Sequence, residues 1–159
     1  MVIEHAAGGF DSDDERSRRQ REVAELLARL EANPNPALYV RAAELLSVDG
    51  DTTEATRVCE EGLRRFPSYV NLYVVKGELA ASSGQMQVAR ELFQRAVELD
   101  EFNFDALTRL ADACMELRDY DGAAAVGRTI LGWLPGDGTG KQILRRAEEA
   151  AGREGTGQG

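Results

Sequence analysis

Ala55, Ala89 and Ala123 stand 34 residues apart, and other columns keep the same interval. Small residues recur at Ala43, Gly77 and Ala111. A third column runs Cys59, Phe93, Gly127, and a fourth Gly62, Ala96, Ile130. Pro67 and Pro135 are two periods apart, and Glu101 fills the slot between them. A period of this length marks a supersecondary unit that buries its apolar face only by stacking on neighbouring copies. That requirement excludes most folds before any single residue is considered.

Each unit reads as two helices. In the first, Tyr39, Ala42, Ala43 and Leu46 fall on one helical face, and Gly50-Asp51 breaks the pattern. A second stripe follows with Ala55, Val58, Cys59, Gly62, Leu63 and Phe66. Its equivalents are Ala89, Leu92, Phe93, Ala96 and Val97, then Ala123, Val126, Gly127, Ile130 and Leu131. The small columns have a packing reason, because paired helices approach closely only where side chains are short.

The period, the small columns 43/77/111 and 55/89/123, the large residues Tyr39, Tyr73 and Leu107, and the terminal Pro67 and Pro135 resemble the tetratricopeptide repeat family. The resemblance implies an all-α fold, a right-handed superhelical solenoid of antiparallel helix hairpins with about eight helices. The expected layout is a single domain over residues 13–152, with repeats at 36–69, 70–103 and 104–137. Helices at 13–31 and 139–152 would cap its ends, leaving 1–12 and 153–159 as disordered tails. The capping stripes are Val23, Leu26, Leu27 and Leu30, and Ile143, Leu144, Ala147 and Ala151. Two departures stand in the middle unit: Lys76 replaces the usual leucine and Ala80 the usual aromatic. Both loosen the expected packing there, and Lys76 would lay its stem along the groove.

Chemistry-bearing motifs are sparse. "PGDGTGKQ" at 135–142 looks like a phosphate-binding loop. It fails on spacing, since only three residues separate Gly136 from Gly140. It also fails on Gln142, which replaces the metal-binding hydroxyl, and on the helix that precedes it where a strand is required. Glycines ending one helix, with Asp137 or Thr139 capping the next, explain it better. Cys59 and Cys114 fall on apolar stripes and read as core thiols. His5, the one histidine, lies in a Gly- and Asp-rich segment with nothing to hold it, and Trp133 reads as structural. Arg16, Arg18, Arg19 and Arg21 interleave with Asp13, Asp14, Glu15 and Glu22, a solvated helix face rather than a nucleic-acid surface. The formal charge of −9 opposes nucleic-acid binding as well. No enzyme activity, cofactor or metal site is expected. With neither a membrane-length apolar run nor a signal-peptide pattern at the N-terminus, the expected location is cytoplasmic.

Function then falls to surface shape. In the family this chain resembles, the first helix of each repeat lines a concave groove. That face carries Val40, Glu44 and Ser47 in the first unit, and Asn71, Val74, Val75 and Glu78 in the second. Asp105, Thr108, Arg109, Asp112 and Met115 follow in the third. Glu44, Glu78 and Asp112 repeat at 34 residues and would form an acidic row. The family's carboxylate clamp for acidic chaperone tails has its slots at Val40, Glu44, Val75, Asp105 and Arg109, and only Arg109 matches it. The expected partner is therefore a basic or mixed basic–apolar segment of another protein, held by a scaffold or adaptor. An alternative resemblance is to the small acidic chaperones of bacterial type III secretion translocators, which have a similar length and repeat number. Pairing of two copies through the end helices is also compatible with the stripes.

Overall fold

The computed structural model describes residues 10–156; residues 1–9 and 157–159 of the expected tails lie outside the described residues. It is all-α, with eight helices and no strand among the described residues. They are α1 (Phe10–Ala32), α2 (Pro36–Val48), α3 (Thr52–Arg65), α4 (Val70–Ser82), α5 (Met86–Leu99), α6 (Phe104–Glu116), α7 (Tyr120–Trp133) and α8 (Gly138–Thr156). Both end helices exceed their expected bounds. Helix α1 starts at Phe10, which puts Asp11 and Asp13 in its first turn, where acidic residues suit the helix dipole. Helix α8 runs on to Thr156 through Gly152 and Gly155, each of which costs only about 1 kcal/mol relative to alanine. Residues 10–12 and 153–156 are therefore helical rather than tail.

Local chemistry repeats with the helices. Helices α2, α4, α6 and α8 begin one period apart, at 36, 70, 104 and 138. At α2, α6 and α8 a polar side chain just ahead accepts an orphan backbone N–H. Asn35 takes that of Ala37 at 2.9 Å, Asn103 that of Ala106 at 2.9 Å, and Asp137 that of Gly140 at 2.6 Å. Each repeat also turns between its helices in one way. The amide of Asp51 donates to Leu46 O, that of Gln85 to Ala80 O and that of Asp119 to Cys114 O, which closes the carboxyl end of the first helix. The residue before each donor has positive φ: Gly50 at 84°, Gly84 at 76° and Arg118 at 59°. Asp51 and Asp119 then cap α3 and α7 with their side chains, through the amides of Glu54 and Gly122.

The chain packs as two compact units, Met1–Val75 and Lys76–Gly159, with the boundary inside α4. In the first unit α1 lays Val23, Leu26 and Leu30 into a core with Tyr39, Ala42, Ala43, Leu45, Ala55, Val58 and Cys59. Arg19 ties α1 to the turn after α2 through Asp49 at 2.6 Å. Gly62 lets α3 approach closely, since a Cβ there would lie 2.9 Å from Leu72 Cδ1 and 3.0 Å from Tyr39 Cβ. The second unit centres on Phe93, Leu107, Leu110, Ala111, Cys114, Ala123 and Ile130, with Ile143 and Ala147 of α8 completing the core.

Candidate functional site

The second unit holds an open cleft of about 250 Å³ lined by Glu78, Ala81, Met86, Phe93, Arg109, Asp112, Ala113 and Glu116. Its floor is apolar and its rim charged. Phe93 reaches the floor because position 77 has no side chain; a Cβ on Gly77 would lie 2.4 Å from the Phe93 ring. Arg109 of α6 crosses the rim. It pairs with Glu78 of α4, and its Nε donates to Asp105 Oδ1 at 3.1 Å, one helical turn earlier. Arg146 of α8 stands 3.7 Å from Asp112.

The expected groove residues divide accordingly. Glu78, Arg109 and Asp112 meet at this cleft. On the same helix, Asp105 is exposed, while Thr108 and Met115 are half-buried. Val40 is half-buried, and Glu44 and Ser47 are exposed, all on α2 in the first unit; Asn71 is exposed at the start of α4. Val74 and Val75 are a correction, for they are only 5% and 6% exposed and offer almost nothing to a partner. The half-buried Lys76 follows them. The acidic row is also less bare than its spacing implies, because Arg109 engages Glu78 and Arg146 faces Asp112. Sequence reading missed Ala81, Met86, Phe93, Ala113 and Glu116 as cleft residues. Glycine at 77, where the other repeats have alanine, was the available signal that a second-helix side chain reaches through.

A larger cleft, of about 680 Å³, opens between α5 and α7 with α6 beneath. Arg90, Arg95, Glu91, Glu98 and Asp119 lie along it, with Leu107, Leu110 and Cys114 at its base. Arg90 pairs with Asp119 at 3.2 Å and Arg95 with Glu98 at 3.0 Å, so the opposed charges largely satisfy one another. Burial, and then the nearby Asp119 carboxylate, push the Cys114 thiol up from its ordinary value, which keeps it protonated and inert.

The glycine-rich segment has a packing role. Gly140 lies against α7, where an added Cβ would meet Ile130 Cγ2 at 3.0 Å. Reciprocally, a Cβ on Gly127 would meet Leu144 N at 3.0 Å and Gly140 O at 3.1 Å. Lys141 Nζ donates to Gly136 O at 3.4 Å, across its own turn. Among the described residues no helix is long and apolar enough to cross a membrane.

Comparison with known proteins gives one consistent answer. The family model "Tetratricopeptide repeat" matches residues 40–104 and 74–137. Human tetratricopeptide repeat protein 7B is 27% identical over 94 residues, which are 59% of this chain and only 11% of that protein. Among solved structures, MamA superposes with a TM-score of 0.73 at 18% identity, over 89% of this chain and 78% of its own. The first repeat domain of Spaghetti (RPAP3), solved with the HSP90 peptide SRMEEVD, gives 0.66 at 18% identity over 74% and 93%. The fold is generally a non-catalytic protein-interaction module. With the family model covering most of the chain and the same hairpins recurring in these structures, this protein belongs to the tetratricopeptide repeat family.

Proposed function

We propose that this protein is a scaffold or adaptor that holds a mixed basic–apolar segment of a partner protein in the cleft of its second unit. One observation carries the reading: Glu78, Asp112 and Glu116 ring an apolar floor of Met86 and Phe93, with Arg109 as the basic side chain in the lining. Such a site selects by charge and holds by apolar contact. Apolar partner residues would fill the floor, while a lysine or arginine would reach Asp112 or Glu116 on the rim. Glu44 holds the equivalent position on α2 and extends the same preference to the first unit. Arg109, the one match to the family's clamp for acidic tails, is already engaged by Glu78 and Asp105, which supports a basic rather than an acidic ligand.

Two substitutions of opposite sign test this. Arg109→Gln makes the rim more acidic and should tighten a fluorescent lysine–leucine peptide about two- to fivefold at low salt. Asp112→Lys should weaken it by a similar factor and flatten its salt dependence. Equal affinity in both folded variants, or tighter binding of a glutamate–leucine peptide, would refute the reading.

A further inference from the structure

We propose a second docking surface, on the edge made by the α5–α6 turn and the carboxyl end of α7, for an arginine-bearing segment of a partner protein. Among the described residues five large hydrophobic side chains stand exposed, and three of them lie in these two stretches: Phe102 at 64%, Leu134 at 54% and Phe104 at 41%. Single exposed hydrophobics are ordinary, but a cluster is not. Phe102 packs its ring on Trp133, with centroids 4.6 Å apart and planes tilted by 43°. The Trp133 side chain is half-buried against the core, so Phe102 extends an anchored aromatic platform into solvent.

The surrounding charge decides what fits. Asp100 accepts from the amide of Phe102 at 3.2 Å and from Asn103 Nδ2 at 3.4 Å, which folds the turn. Glu101 is exposed beside it. Asp137 caps α8 in the turn after Trp133, and Lys141 one turn on is bonded to Gly136 O. The two turns that carry this tilted ring pair thus supply three carboxylates, Asp100, Glu101 and Asp137. A guanidinium suits both features, since it stacks on an aromatic face and donates in its plane to carboxylates. A second copy of this chain fits less well, because each copy carries a formal charge of −9.

The protein has a single tryptophan, so its emission reports this edge directly. The full chain is titrated with a short arginine–leucine peptide and with its citrulline counterpart. A saturable change in Trp133 emission is expected with the arginine peptide, about tenfold weaker for citrulline and for Phe102→Ala, and two- to fivefold weaker for Glu101→Gln. Both residues are exposed, and circular dichroism checks that the variants fold. Arg109→Gln and Asp112→Lys should leave this titration unchanged, so the edge and the cleft fail separately. Equal binding of the citrulline peptide, an unaffected Phe102→Ala, or emission that shifts with protein concentration alone would overturn the proposal; the last would assign the edge to a second copy.

Discussion

Gly77 has no room for a methyl group, because the Phe93 ring occupies that space. Gly77→Leu should therefore cost about 1–3 kcal/mol or more through overpacking. Phe93→Leu in the same chain should recover part of the loss, and urea denaturation of the wild type and both variants checks both statements. Arg118 presents the reverse case. It occupies a left-handed position filled by glycine in the other two repeats, at a cost of roughly 1–2 kcal/mol for a side chain. Arg118→Gly should relieve that strain and leave stability unchanged or up to about 1 kcal/mol higher, against the entropy glycine loses on folding. Burial raises Cys114 and Tyr39 alike, so both groups hold their protons more tightly in the folded chain than in the unfolded one. Their contribution is complete below pH 9.0, the ordinary cysteine value, and should fade as pH climbs beyond it. Denaturation midpoints measured between neutral and alkaline pH test the direction. The small columns were legible because each hairpin needs the same short side chain at its crossing. The turn and cap columns were harder to read, because Arg118 interrupts one and Tyr69 the other.

At the scale of an element, α8 explains the segment that most resembled a nucleotide loop. Asp137 starts it, Gly140 lets it lie against α7, and Gly127 reciprocates. Asp137→Ala should remove the cap bond at a cost of about 0.5–2 kcal/mol, visible as a lower thermal midpoint. Lys141→Ala removes only an exposed contact and should leave both fold and stability intact. Saturable ATP binding that disappears in that variant would contradict the packing account. Helix α8 begins one period after α6, as the first helix of a further repeat would, and Ala147 continues the buried column of Leu45, Leu79 and Ala113. The amino end of this helix was legible within one residue, because Pro135, Gly136 and the Asp137 cap mark it, whereas its carboxyl end was not, because no strong breaker stands between Gly152 and Thr156.

For the whole molecule, the fold class was readable because periodicity fixes which faces are buried. The cleft was less so. Arg109 and Glu78 lie in different repeats, and their pairing depends on which rotamers meet across α4 and α6. The burial of Val74 and Val75 likewise follows from tertiary packing, which a helical wheel does not contain. The proposed binding on the first-helix side of the second unit can be tested residue by residue. The most direct measurement is amide and methyl chemical-shift mapping of the full chain during titration with the lysine–leucine peptide. Perturbations are expected on Glu78, Ala81, Met86, Arg109, Asp112 and Glu116, with Arg90, Gln94 and Thr129 unmoved. Perturbations gathered on Arg90, Gln94 and Thr129, with the first set unmoved, would place binding between α5 and α7 and contradict it.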